Sequence, residues 1–298
     1  MRSGNETPTI TCRFLDESYF EVLLRKFQEA FSDYAHPPKL DLERFRSHLV
    51  LNAVDLDRSV GCFEGGEMIG FSLNGFGQWN GRSTVYDAGT GVIPTRRRHG
   101  ASQAMFDLQI PRFRADGIEQ YLLEVITSND PAVSLYKKLG FRTQRELFFM
   151  EAGGPLVPES QTNVTVEIRV LSAADLVELS KLWCAGPSWQ NSNEAVARSG
   201  PSRRILGAFL DGQCVGYVAY TTGMGRIAQF AVDTNHRRKG IGSRLLAEME
   251  SELTPGEKMQ VINVDDRLPE TVRFFEKRGF RIALTQYEMI LPLRDGAI

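Results

Sequence analysis

The chain has 298 residues, 42% of them hydrophobic and 24% charged, with 35 Lys+Arg against 37 Asp+Glu and a formal net charge of -2. That length fits two domains, and the composition excludes collagen-like, disordered and supercharged chains. The near-neutral balance excludes a polycation built to coat nucleic acid, and no apolar run approaches the roughly 20 residues that span a bilayer, so a soluble cytoplasmic protein is expected.

In chain order, Arg13-Phe14-Leu15 opens a first strand and a helical stretch runs on through Phe27. Asp33-Tyr34 and His36-Pro37-Pro38 read as the turn that ends it. Gly65-Gly66 between apolar runs signals a two-residue hairpin. Trp79 lies in the glycine-rich stretch Gly75 to Gly81 and is a candidate pocket lining. Val85 to Val92 reads as a strand and leads into the basic-glycine loop Arg97-Arg98-His99-Gly100. Ala101, Ala104, Met105 and Leu108 then recur at i, i+3, i+4 and i+7, the pattern of an amphipathic helix. Tyr121 to Ile126 is a short apolar strand. Pro131 opens a helix at about its first turn, where a missing N–H costs nothing, and Leu139-Gly140-Phe141 ends it.

The same features return in the same order. Arg169-Val170-Leu171, Asp211-Gly212, the strand Ile227 to Val232, Arg237-Arg238-Lys239-Gly240, the four-residue repeat Ile241, Leu245, Met249 and Leu253, the strand Met259 to Val264, Pro269 and Arg278-Gly279-Phe280 repeat their counterparts. One module has been duplicated. Residues 153–163, rich in glycine, proline and small polar residues, read as the linker between modules 1–152 and 164–298.

Cys12, Cys62, Cys184 and Cys214 stand singly with no C-x-x-C pair and are expected as reduced packing thiols. The four histidines show no metal-ligand spacing, so no metal is expected. No G-x-S-x-G elbow supports serine chemistry.

A loop that joins a strand to a helix N-terminus offers unpaired amides and a positive dipole end, and its glycine lets a phosphate approach the backbone. Arg and Lys beside it add charge. Both loops therefore predict phosphate or pyrophosphate sites. Neither ends in the Lys-Ser/Thr of a P-loop, which disfavours a nucleotide-phosphate transferase. The neutral balance disfavours reading Arg96 to Arg98 as an RNA patch.

Arg237-Arg238-Lys239-Gly240-Ile241-Gly242, preceded by Val232, resembles the R/Q-x-x-G-x-G/A loop of the GNAT superfamily of acyl-CoA N-acyltransferases. Arg97-Arg98-His99-Gly100-Ala101-Ser102, preceded by Val92, resembles it too, with Ser102 where the family has Gly or Ala. The family's second pattern is matched by Asn129, Ala132, Tyr136, Gly140 and Phe141. In the second copy Leu268 replaces the Asn and Phe275 the Tyr.

The resemblance implies an α/β (α+β) fold: a tandem of modules, each a mixed, mainly antiparallel sheet flanked by helices, with a splayed-strand cleft for acetyl-CoA. It implies that the loop amides hold pyrophosphate, that the amide near Thr90 polarises the thioester, and that Tyr136 protonates the leaving thiolate. The base that takes the amine proton is sought among Asp87, its neighbour Tyr86 and Glu124; strand alternation lets only one of Tyr86 and Asp87 face the cleft. Asp33-Tyr34 and His36-Pro37-Pro38 fall where the family builds its acceptor pocket.

The expectation is an N-acetyltransferase acting on a small-molecule amine or peptide, with no nucleic-acid or membrane partner, as a monomer (pseudo-dimer) or homodimer. The first module is the better catalytic candidate. The alternative is a non-enzymatic acyl-CoA sensor.

Overall fold

The structure is a computed structural model that describes residues 9–34, 40–157, 164–254 and 256–294. His36-Pro37-Pro38 and linker residues 158–163 lie outside them. By packing, the chain forms two units.

The first unit carries β1 (Thr11–Phe14), α1 (Phe20–Ala30), α2 (Leu42–Leu51), β2 (Val60–Glu64), β3 (Glu67–Trp79), β4 (Arg82–Val92), α3 (Ala101–Ala115), β5 (Gln120–Ile126) as far as Glu124, and α4 (Asp130–Lys138). Its strands run in the order β1-β2-β3-β4-β5, antiparallel except for the parallel pair β4–β5. Gly65 and Gly66 both have positive φ and bring Glu64 opposite Glu67, as the hairpin signal requires. α1 buries Leu23, Phe27 and Ala30, one stripe at i, i+4 and i+7. α3 begins after Gly100, which is left-handed, and buries Met105, Phe106, Ile110 and Phe113.

The second unit carries β6 (Arg142–Ala152), β7 (Glu167–Leu171), α5 (Leu176–Leu179), α6 (Asn193–Arg198), β8 (Arg203–Leu210), β9 (Gln213–Thr221), β10 (Arg226–Val232), α7 (Ile241–Ser251), β11 (Gln260–Asp265), α8 (Pro269–Lys277) and most of β12 (Phe280–Pro292). β6-β11-β10-β9-β8-β7 follow one another, with β10–β11 parallel. Leu245, Leu246, Met249 and Phe275 fill its core against Val218, Tyr220 and Ile227.

The packing units are not contiguous stretches of sequence. β6 ends the first sequence module, yet it pairs with β11, Met150 opposite Val261, and its Met150 and Ala152 enter the second unit's core. Residues Met289 to Arg294 belong to the first unit, where Leu293 N–H donates to Glu119 O at 2.9 Å. The expected linker is also partly tied down. Gly153 and Val157 donate to the carbonyls of Gly279 and Arg278, and Leu156 N–H donates to Glu250.

The cysteine expectation is corrected for one pair. The β1–β2 register sets Cys12 opposite Cys62, and the two are joined in a disulfide; Cys184 and Cys214 are free. Sequence spacing cannot show this, because the two residues meet only once the strands pair. No helix among the described residues is long and apolar enough to cross a membrane.

Candidate active site

β4 and β5 pair only over Thr84–Tyr86 and Gln120–Leu122, although β4 continues to Val92, so the strands part beyond Tyr86. On its other edge β4 stays paired with β3 to Val92. Ile93 N–H donates to Ile69 O on that side. Backbone alternation therefore turns the amides of Val92 and Thr90 toward the open gap.

The β3–β4 ladder holds a bulge. Leu73 faces Gly89 and Asn74 faces Asp87, leaving Ala88 extra. The bulge breaks the alternation expected from sequence. Asp87 and Thr90, three residues apart, share a face, and the Thr90 hydroxyl lies 3.0 and 2.9 Å from the two Asp87 oxygens. Gly89 and Gly91 then face α1, where added Cβ atoms would stand 3.0 Å from Phe27 and 2.9 Å from Ala30.

Asp87 collects the Gly89 amide at 2.9 Å, the Thr90 hydroxyl and, at 3.4 Å, the hydroxyl of Tyr136 from α4. Burial pushes its carboxyl up to about 6, against the pull of those donors. Burial, with the Asp87 charge, also holds the Tyr136 phenol well above its ordinary range. On the opposite face, Tyr86 donates to Glu124 at 3.2 Å.

Behind Thr90 runs a buried polar network that the sequence did not flag. Thr90 Oγ1 lies 3.0 Å from Ser72 Oγ. Gln109 of α3 donates to Ser72 and Tyr121, and Tyr121 donates to Asn74. The polar Gln109 on the apolar face of α3 was the one available signal.

At the loop, Arg98 and Gly100 are left-handed, with φ of 66° and 86°. Arg97 is turned inward: its guanidinium donates to Val92 O, Ala30 O and both oxygens of Asp33. It ties the loop to the end of α1, and this engages Asp33. Arg98, His99 and Gly100 are exposed, Ser102 is half-buried and Ala101 is buried. The second loop has nearly the same dihedrals at Arg238 and Gly240, 62° and 85°. Arg237 is likewise engaged, by Val232 O, Glu270 and Cys184. Arg238 is exposed, Lys239 half-buried, and Ile241 and Gly242 buried.

The second unit keeps the bulge, at Ala228, and β10 and β11 also part, after Ile227 and Val261. Its side chains at the matching positions differ. Counting back from the loops, Ile227 stands where Asp87 does and Gln229 where Gly89 does, while Phe275 replaces Tyr136. Gln229 donates to Asn191 O and Asn193, and Asn191 donates to Ile262 O on β11, so the segment 189–193 bridges the gap between the strands.

Asn129 sits in the turn after β5, its amide donating to Ile126 O, and Leu268 holds the matching turn. Trp79 is buried at the hairpin end of β3. Among the described residues no three His, Cys, Asp or Glu side chains gather as a metal site.

A bulged strand that parts from its parallel neighbour beside a basic-glycine turn and a helix N-terminus defines an acyl-CoA-dependent acyltransferase cleft. Residues 17–141 match the acetyltransferase (GNAT) family, and residues 201–282 match the acetyltransferase (GNAT) domain. The chain belongs to the GNAT superfamily, as a tandem of two such domains.

Three solved structures show the same fold. A GCN5-related N-acetyltransferase from Sphaerobacter thermophilus is 16% identical, with a TM-score of 0.73 and 96% of each chain covered. A tandem GNAT protein from the clavulanic acid biosynthesis pathway is 18% identical, with a TM-score of 0.69, covering 97% of this chain and 100% of that one. A GCN5-related N-acetyltransferase from Anabaena variabilis is 11% identical, with a TM-score of 0.62, covering 97% and 74%. No curated protein matches the chain.

Proposed function

We propose that the chain is an N-acetyltransferase that moves the acetyl group of acetyl-CoA to a primary amine by direct attack, and that the first unit performs the transfer. One observation carries this reading: the buried contact between Asp87 and Tyr136 beside the parted strands. Acetyl-CoA supplies an activated thioester and a pyrophosphate anion. The features that fit it are the α3 N-terminus with exposed Arg98, His99 and Gly100, and the gap-facing amides of Thr90 and Val92.

As the N–C bond forms and the C–S bond breaks, Asp87 takes the amine proton and Tyr136 gives its own to the sulfur. The proton held by Asp87 then restores Tyr136 through their hydrogen bond. A carboxyl at about 6 is ionised at neutral pH yet basic enough for this. Glu124, on the other face with Tyr86, attracts the cationic acceptor.

The second unit lacks both proton-handling groups, and its gap is bridged by its own chain. We assign it CoA binding without turnover, or a scaffold role. The acceptor is a small amine or a peptide.

The test is thiol release from acetyl-CoA across a panel of primary amines. Release that needs both acetyl-CoA and an amine is expected. CoA binding by calorimetry with no release for any amine would favour a sensor instead.

A further inference from the structure

We infer that His48, on α2, is a positioning residue that sets the backbone of the β4 bulge for acyl transfer; the inference rests on the acetyl-transfer reading above. The bulged peptide between Ala88 and Gly89 is held at both ends. Its carbonyl accepts from His48 Nε2 at 2.8 Å, and its amide donates to Asp87 Oδ1 at 2.9 Å. A carbonyl only accepts, so Nε2 carries the proton. Nδ1 is then the acceptor, and Asn52 Nδ2 stands 3.3 Å from it while also donating to His48 O at 2.9 Å. The partners on both sides fix the tautomer.

The histidine also stands on a fixed element. Beyond the end of α2, Phe76 N–H donates to Ala53 O at 3.1 Å, and Val54 bridges to Gly75. A Cβ on Gly75 would come within 1.9 Å of Asn52 O, so only glycine lets α2 sit this close to β3. The Phe27 ring packs edge-on against the imidazole, with centroids 5.6 Å apart, and closes the space beside Gly89.

A bulge interrupts the ladder and leaves its extra residue without a paired partner on the neighbouring strand. The direction of the next amide, Thr90 N–H, follows from how the Ala88–Gly89 peptide is turned. By gripping the carbonyl, His48 aims that amide at the place where negative charge develops on the thioester oxygen. Alignment of this kind matters because catalytic donors act through preorganisation. The equivalent stretch of the second unit is held instead through the Gln229 side chain.

The experiment uses the full chain with acetyl-CoA isotopically labelled at its carbonyl carbon. Infrared difference spectra of the bound thioester are recorded for wild type, His48→Leu and His48→Gln. Wild type is expected to lower the carbonyl frequency relative to free acetyl-CoA. His48→Leu is expected to return it toward the free value with unchanged acetyl-CoA affinity. His48→Gln, whose amide reaches the same carbonyl, is expected to restore the shift. With an accepted amine, kcat falls roughly 10²-fold in His48→Leu while KM for acetyl-CoA holds.

A full shift in His48→Leu, or a loss that His48→Gln does not restore, overturns the positioning role alone. A wild-type protein that binds no acetyl-CoA overturns the transfer reading and this inference with it.

Discussion

Asp87 shows how a single side chain can work against the fold it belongs to. Its carboxyl moves from 3.8 to about 6 because burial disfavours the charge. The folded state therefore binds that proton more tightly than the unfolded chain, so this contribution to stability is complete below about 3.8 and is lost as pH rises through about 6. At neutral pH the ionised carboxylate destabilises the unit by roughly 3 kcal/mol. Asp87→Asn keeps an acceptor for Gly89 and Thr90 without the charge. It is expected to raise the melting temperature at pH 8 while lowering acetyl transfer roughly 10²- to 10⁴-fold. A fall in melting temperature with activity kept would contradict both roles. In wild type, kcat/KM should fall as pH drops below about 6. Tyr136 and Asp87 were both legible in the sequence, one by motif and one by strand position. Their contact was not, because Tyr136 on α4 lies 49 residues away and meets β4 only in the fold; nor was the bulge at Ala88, which turns Thr90 onto the Asp87 face. Gly89 and Gly91 inside an apolar strand were the only warning.

At the scale of elements, the strands and helices followed the sequence closely, and their long-range pairing did not. Arg145 on β6, Asp265 on β11 and Glu288 on β12 lie far apart in the chain, yet they form a buried cluster. Arg145 donates to both oxygens of Glu288 and to Asp265, at 2.7 to 2.8 Å, and to Gly186 O. Burial raises the Glu288 carboxyl although Arg145 opposes it, whereas Arg267 and Arg145 overcome burial to hold Asp265 at about 2. Arg145→Ala leaves Glu288 buried without its cation while Arg267 still pairs with Asp265, and is expected to cost about 3–5 kcal/mol in denaturant unfolding. A loss well under that range would mean that water reaches the cluster. The β1–β2 disulfide gives a simpler check. Unreduced, denatured protein should titrate two thiols, Cys184 and Cys214, rather than four. Four would return the chain to the reduced state expected from spacing. Since disulfides persist in oxidising compartments, the count bears on location too.

For the whole molecule, length suggested two domains and the repeat identified them as copies, but only packing revealed that β6, the first copy's final strand, pairs within the second unit. Duplication preserved the frame: the bulge, the parted strands and the left-handed glycine before the helix occur in both units. The side chains diverged, with Asp87 and Tyr136 in one unit and Ile227 and Phe275 in the other. Phe275 is fully buried in the same apolar core as Ile227, which stands where Asp87 does, so a hydroxyl placed there would lack the matching carboxylate. The measurement that bears most directly on the assignment of catalysis to the first unit is kcat for acetyl transfer in Tyr136→Phe and Phe275→Tyr at saturating acetyl-CoA. Tyr136→Phe is expected to lose roughly 10- to 10⁴-fold, and Phe275→Tyr to gain nothing. Unchanged turnover in Tyr136→Phe, with Phe275→Tyr raising the rate, would place the chemistry in the second unit.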